Sequence, residues 1–298
     1  MAGPRGGGGS VPSVMGILNI TPDSFSDGGR NLDPRAALGR AEEMVTAGVG
    51  FIDVGGESTR PGADAVDPRE EQRRVLPVIE AVAPMAGRHG VRVSIDTRNA
   101  STAAAAVGLG ATVINDVSSS LWHVAAETGV GWVAMHMLGD PRTMQRSPRY
   151  GDVLGEVRAY LDERAGTAER AGVQEVWVDP GIGFGKTTSH NLSLLAGIDR
   201  IVSDGRPVLI GTSRKRSLGE LLAKADSGVA QGLSGAPGEP APEPVPVEDR
   251  LEGSLASAVW AMIGGVEVVR AHDISATVGA IEALWRTRGS HENEAPTR

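Results

Sequence analysis

The chain contains no cysteine. Disulfides and thiolate metal sites are therefore excluded, which suits a reducing compartment. Nor does it contain an apolar run near the roughly 20 residues needed to cross a bilayer. The opening residues MAGPRGGGGSVPS lack the apolar core of a secretory signal and read as a disordered leader over 1–13. No stretch is broadly basic, since 29 Lys and Arg face 37 Asp and Glu for a formal net charge of −8. That balance argues against non-specific nucleic-acid binding. Nucleic acid and membrane are both set aside as partners, and the expected location is cytoplasmic.

What the chain has in excess is glycine, with 41 residues. That is about double the usual share of roughly 7% and suggests many tight strand-to-loop transitions. Short Val- and Ile-rich runs recur at 14–20, 50–55, 91–96, 112–117, 131–137, 175–179, 207–212 and 266–271. Each is short enough for a strand and apolar enough to be covered on both faces. Helical patterns fall between them at 34–47, 68–86, 99–109, 152–171, 189–203, 249–264 and 273–286, with the weakest at 120–129. Asp33 followed by Pro34 suits an N-cap and first turn, and AGVG at 47–50 suits a helix stop. This alternation predicts a single-domain α/β fold, a (β/α)8 TIM barrel over 14–286, with an open doubly wound sheet as the alternative. Residues 225–247 carry five prolines between 237 and 246 and break the rhythm, as a loop after the seventh strand would. Residues 287–298 are expected to form a flexible tail.

A barrel of this kind carries its active site at the C-terminal ends of its strands. All eight predicted ends bear polar groups. The first ends in Asn19, ahead of Asp23 and Asp27, and the second runs past Asp53 to Glu57, Thr59 and Arg60. Asp96, Asn115, His136 and Asp179 close the next four, with Lys186 beyond the last of these. Ser213, Arg214 and Lys215 follow strand seven, and Arg270 and His272 lie on strand eight. Asp96, Asn115 and Asp179 suit a flat, donor-rich heterocycle, because a carboxylate accepts two parallel N–H bonds. Arg60, Arg270 and His272 suit a phosphate or diphosphate. Asn19 with Asp23 or Asp27 could hold a hard cation such as Mg²⁺. A donor-rich ring and a diphosphate together suggest group transfer with diphosphate leaving. Individually the residues are less telling. Asp53 is as readily a structural carboxylate as a ligand, and His136, between two methionines, reads more simply as a satisfied core histidine. Lys186 could merely solvate a loop, and His123 and His190 read as helix-surface residues.

The segments MGILNITPDSFSDGG (15–29), IDVGGESTRPGA (52–63), VSIDT (93–97) and INDVS (114–118) resemble those of the dihydropteroate synthases. So do AMHMLGDPRTMQ (134–145), DPGIGFGK (179–186), GTSRKR (211–216) and VRAHD (269–273), all in family order. The resemblance implies the barrel and a reaction: 6-hydroxymethyl-7,8-dihydropterin diphosphate and p-aminobenzoate give 7,8-dihydropteroate and diphosphate. It places the pterin among Asp96, Asn115, Met135, Asp179, Phe184, Lys215 and Arg270. It assigns the diphosphate to Asn19, Arg60, Arg270 and His272, with Mg²⁺ on Asn19, Asp23 and Asp27. It assigns p-aminobenzoate to Phe25, Thr59, Pro61, Ser213 and Lys215. Asp96, Lys215, Arg270 and His272 are the catalytic set it implies, and a homodimer is its common assembly. Arg214 is expected to be a structural or rim ion-pair partner and Arg216 to point away.

The resemblance is imperfect in two places. The family sets a bulky apolar residue after SRKR, where this chain has Ser217, so sulfonamide sensitivity could differ. The segment SSSLWHVAAETG (118–129) is shorter than the family's counterpart. Two rival functions fit these residues less well. A corrinoid-type pterin-binding methyltransferase would not need the SRK and STRPG segments. A non-catalytic pterin-binding paralogue should have lost the diphosphate or p-aminobenzoate residues, which are present.

Overall fold

The computed structural model describes residues 11–20, 34–58, 66–226 and 242–293. Eight parallel strands form one sheet: β1 (Ser13–Asn19), β2 (Phe51–Gly55), β3 (Arg92–Asp96), β4 (Val113–Asp116), β5 (Gly131–Met135), β6 (Val176–Asp179), β7 (Leu209–Ile210) and β8 (Val268–Ala271). Around them run α1 (Pro34–Thr46), α2 (Pro68–Arg88), α3 (Ala100–Gly108), α4 (Trp122–Thr128) and α5 (Val153–Arg170). The helical layer is completed by α6 (Thr188–Ala196), α7 (Ile198–Val202), α8 (Arg216–Asp226), α9 (Leu251–Ile263) and α10 (Ile274–Asn293). The strand order runs β6-β5-β4-β3-β2-β1-β8-β7. A bridge between Val178 and Val208 joins the two edge strands, so the sheet returns on itself as a (β/α)8 barrel rather than an open doubly wound sheet.

The predicted strands all appear, with ends moved by a residue or two. β7 shortens most: Pro207 has no N–H to give, and its carbonyl accepts from Val178 N at the seam. The helical pattern at 189–203 divides at Gly197 into α6 and α7. A Cβ on Gly197 would lie 2.5 Å from Leu154 Cδ2, so this junction is pressed against α5. The weak pattern at 120–129 is a real helix, α4. Its entry is organised by Asp116, whose carboxylate accepts from the N–H groups of Ser118, Ser120 and Leu121 and from the Trp132 indole. At the chain ends, β1 already begins at Ser13, inside the expected leader, and α10 continues to Asn293, well past the expected end at 286. The proposed N-cap Asp33 and most of the Pro-rich stretch lie outside the described residues. Of that stretch, 225–226 finish α8 and 247 opens a single 3-10 turn, Val247–Asp249.

Alternation along the strands sorts two cores. Outward residues such as Ile52, Val54, Ile95 and Ile114 pack with the helices. Inward residues Met15, Phe51, Val113, Val133, Trp177, Leu209 and Val268 fill the barrel's lower half. Two residues further along the same inward faces the character changes. Phe51 gives way to Asp53, Val113 to Asn115, Trp177 to Asp179 and Val268 to Arg270. The barrel is thus an apolar plug below and a polar floor above.

At the lower end Arg92 lies against the rings of Phe51 and Trp177, 5.3 and 5.1 Å from their centroids, and its guanidinium forks onto Glu175. Arg92→Ala should therefore lower stability by about 1–2 kcal/mol through lost cation–π and ion-pair contacts, with turnover unchanged. Urea unfolding measures this, and an unchanged midpoint would show that the stack contributes nothing.

Candidate active site

The strand register brings the polar floor together. Asn19 of β1 pairs with Gly55 of β2, Gly55 with Asp96 of β3, and Asp96 with Asn115 of β4. A Cβ on Gly55 would meet Asp96 Cβ at 3.4 Å and Asn19 Oδ1 at 3.7 Å, so its bare backbone leaves space between those side chains. Met135 and Asp179 pair in the same way across β5 and β6.

Arg270 rises from β8 into the middle of this floor. Its Nε donates to Asp53 Oδ2 at 2.6 Å and its Nη2 to Asp96 Oδ2 at 2.7 Å. Asn115 Nδ2 donates to the same Asp53 oxygen at 2.9 Å. Asp53 has no exposed surface. It therefore acts through Arg270 and Asn115, fixing the angle of both. Among the described residues the Oδ1 atoms of Asp96 and Asp53 are both buried without a hydrogen-bond partner, so each acid keeps one acceptor in reserve. Burial pushes the Asp96 carboxyl up to about 7; Arg270 opposes the rise and the neighbouring Asp53 adds to it.

Across the barrel, Asp179 accepts the Gly181 N–H on Oδ1 at 2.7 Å, so Oδ2 is the oxygen it can offer a ligand. Burial raises its pKa as well, against Lys215, Lys186 and Arg270 nearby. Lys215 reaches in from the β7 exit, and its Nζ stands 4.2 Å from the centre of the Phe184 ring. Burial lowers the Lys215 ammonium to about 8, with Asp179 opposing and Arg270 reinforcing the shift. On the third side, Ser213 Oγ lies 3.1 Å from both the backbone N and the Nδ1 of His272. The backbone N–H donates to Oγ, and the direction of the Oγ–Nδ1 contact follows the imidazole tautomer.

The other cations after β7 have structural partners. Arg214 adopts φ 58°, an unusual left-handed conformation for a side-chain-bearing residue. Its N–H donates to Ser254 Oγ, its carbonyl accepts from Arg250, and its guanidinium forks onto Asp273. These contacts hold the turn that aims Lys215 inward. Arg216 faces outward and pairs with Glu220. Ser217 is buried in the first turn of α8.

Lys186 is buried at the β6 exit, where Nζ lies 2.9 Å from His136 Nδ1 and 2.9 Å from the Gly181 carbonyl. Burial lowers it to about 7. His136 is lowered to about 3, first by burial and then by Lys186, so it remains a neutral acceptor. His136 is thus the satisfied core histidine expected, whereas Lys186 does more than solvate a loop. His190 forms a reciprocal cap with Thr187 at the start of α6. The described site residues Asn19, Asp96, Asn115, Met135, Asp179, Phe184, Ser213, Lys215, Arg270 and His272 all belong to the upper strand ends or the loops leaving them. Asp23, Phe25, Asp27, Thr59, Arg60 and Pro61 lie outside the described residues. Sequence reasoning left Asp53 undecided, although its spacing of two from Phe51 puts it on the inward face.

A family model described as pterin binding enzyme matches residues 15–272. The dihydropteroate synthase of Escherichia coli K12 is 42% identical over 291 residues, covering 96% of this chain and 95% of that protein. The Mycobacterium leprae dihydropteroate synthase is 41% identical over 279 residues, covering 91% and 92% respectively. Among solved structures, the Yersinia pestis dihydropteroate synthase with a sulfonamide drug has a TM-score of 0.80 at 39% identity, covering 93% of this chain and 94% of that one. The Xanthomonas albilineans dihydropteroate synthase in complex with 7,8-dihydropteroate has a TM-score of 0.75 at 36% identity, covering 96% and 95%. With eight parallel strands in a barrel and this likeness along nearly its whole length, the chain belongs to the pterin-binding enzyme family and, within it, to the dihydropteroate synthases.

Proposed function

We propose that the protein joins 6-hydroxymethyl-7,8-dihydropterin diphosphate to p-aminobenzoate, giving 7,8-dihydropteroate and diphosphate. The observation that carries this reading is the polar floor itself: acceptors on Asp96, Asn115 and Asp179 face cations on Arg270 and Lys215 across one cavity mouth. The guanidine-like edge of a pterin is rich in N–H groups and matches Asp179 Oδ2 and the unpartnered Asp96 Oδ1. Lys215 and Phe184 offer a cation and a ring face to the remaining side of the heterocycle. Arg270, with Asn19, Arg60 and His272, is assigned to the diphosphate, and Phe25, Thr59, Pro61, Ser213 and Lys215 to p-aminobenzoate.

The reaction follows a dissociative course in this reading. The C–O bond to the diphosphate breaks first, the leaving group takes the electron pair, and a resonance-stabilised pterin cation remains. Cationic side chains stabilise the departing diphosphate, while the Asp96 carboxylate stabilises the cation. The arylamine nitrogen then attacks the exocyclic carbon and loses a proton. That amine is already an uncharged nucleophile, so no activated serine or cysteine is needed. Mg²⁺ is assigned to Asn19, Asp23 and Asp27, and when bound it would neutralise part of the diphosphate charge. The Asn19 amide offers the hard oxygen such an ion prefers; among the described residues no three carboxylates or histidines converge on one point. A homodimer through α9 is part of the same reading, supported by exposed Trp260 and Ile263 on that helix. So is a cytoplasmic location; no described helix is long and apolar enough to cross a membrane. A non-catalytic pterin-binding role is not favoured, because Asn19, Lys215, Arg270 and His272 stand together at the strand ends.

Turnover of pterin diphosphate with p-aminobenzoate, with and without Mg²⁺, tests the reading directly. Product is expected, and Lys215→Ala should lose on the order of 3 kcal/mol of transition-state stabilisation, roughly a hundredfold in rate. No product under either condition would favour the binding-protein role, and a variant within about threefold of wild type would remove Lys215 from the chemistry. The pH profile of kcat/KM supplies a second test. Asp96 is raised to about 7 and must be ionised, so activity should climb through that pH. Lys215 is lowered to about 8 and must be protonated, so activity should fall above it. The two apparent values belong to the coupled cluster, and a flat profile from pH 6 to 9 contradicts the assignment. Ser217 generates a third prediction. Where the family has a bulky apolar residue, a small one enlarges the space beside Lys215 and should weaken sulfonamide binding relative to p-aminobenzoate. Ser217→Phe should restore inhibition, and equal inhibition constants for the two proteins would end that idea.

A further inference from the structure

The loop leaving β6, Asp179 to Lys186, is held by its backbone from every side. Gly181, Gly183 and Gly185 have φ of 66°, 84° and 64°, which only glycine adopts without strain. A Cβ on Gly181 would fall 1.9 Å from the His136 carbonyl oxygen, and one on Gly185 would fall 2.4 Å from that of Leu138. The loop is therefore pressed flat against the exit of β5. The carbonyls of Gly181, Phe184 and His136 converge on one donor, Lys186. Its Nζ reaches the carbonyls of Gly181 at 2.9 Å, Phe184 at 3.1 Å and His136 at 3.2 Å, and His136 Nδ1 at 2.9 Å. An ammonium has three hydrogens for these four acceptors, and among the described residues no carboxylate lies within ion-pair distance of it. From outside the loop, Tyr150 Oη donates to the Gly185 carbonyl at 2.9 Å and Gln145 Nε2 to the Gly183 carbonyl at 2.5 Å. What this framework presents to the cavity is Asp179 at one end and the Phe184 ring, facing Lys215, in the middle.

We infer that Lys186 is a positioning residue for the pterin ring: its ammonium pins the loop carbonyls to the β5 exit and thereby sets the Phe184 ring and the Asp179–Gly181 turn. Lys186 does not touch substrate. Its loss should therefore weaken capture of the pterin, which those two residues face, more than that of p-aminobenzoate, which shares with this loop only Lys215 beside Phe184. This inference rests on the substrate assignment above.

The test compares wild type, Lys186→Met and Tyr150→Phe, each checked for a cooperative thermal transition before kinetics. Lys186→Met should raise the KM for pterin diphosphate roughly tenfold while the KM for p-aminobenzoate stays within about twofold. Tyr150→Phe, which removes only the outer bond to Gly185, should shift the same constant in the same direction by less. Unchanged constants in both variants would overturn the inference. So would a uniform loss across both substrates in step with melting temperature, since that is what general destabilisation produces. Should Lys186→Met fail to fold, Tyr150→Phe alone decides: a selective rise in the pterin constant supports the role, and none refutes it. Wild-type turnover separates the two levels. Its absence defeats the substrate reading, whereas its presence with unaltered variants defeats only the role of Lys186.

Discussion

The contact on which the rest of the site depends is the grip of two carboxylates on Arg270. Asp53 from β2 and Asp96 from β3 reach across the barrel to a guanidinium on β8, and Asn115 from β4 joins through Asp53. Four strands are thereby tied together by one cation at the level where the polar floor begins. A guanidinium suits this place because it is planar, permanently charged and able to meet two carboxylates through separate N–H groups. Removing one partner would leave an uncompensated buried charge, a defect of about 3–5 kcal/mol in such settings. The pair of acids is consequently fixed in place.

That clamp creates the chemistry above it. Asp53, with no exposed surface, gives one oxygen to both Arg270 and Asn115, while Asp96 gives one oxygen to Arg270 alone. Holding both acids in a dry site raises Asp96, so its charge is poised rather than permanent near neutral pH. Opposite them, burial lowers Lys215, so its charge is equally conditional. The mouth therefore sets acids and bases against one another with little surrounding water. In the proposed reaction, charge separated during bond cleavage would meet groups already in position, which is where electrostatic preorganisation acts most strongly.

Glycine has a positional meaning in this barrel. Gly55 leaves open the gap between Asn19 and Asp96. Gly181 and Gly185 let a loop lie against backbone carbonyls that any side chain would strike. The carbonyls of Gly181, Phe184 and His136 converge there on the ammonium of Lys186. Glycine excess, an ordinary compositional number, thus has part of its cause in the loop leaving β6.

By itself the sequence determined the barrel and which polar residues gather at its strand ends. Eight Val- and Ile-rich runs alternating with helical patterns admit few other arrangements, and strand ends put Asp96, Asn115, Asp179 and Arg270 on one face. The expectations that Arg214 serves as an ion-pair partner and that Arg216 points away agree with their pairs to Asp273 and Glu220. Tertiary structure decided which polar residue serves which. Asp53 and Asp96 both lie near strand ends, yet only cross-barrel distances reveal that the first holds both Arg270 and Asn115 and the second holds Arg270 alone. Lys186 reads as a loop lysine until the carbonyls of residues 136, 181 and 184 are seen around its nitrogen. Such roles rest on contacts between chain segments tens to hundreds of residues apart. Periodicity reports local faces only, so these partnerships come into being when the barrel closes.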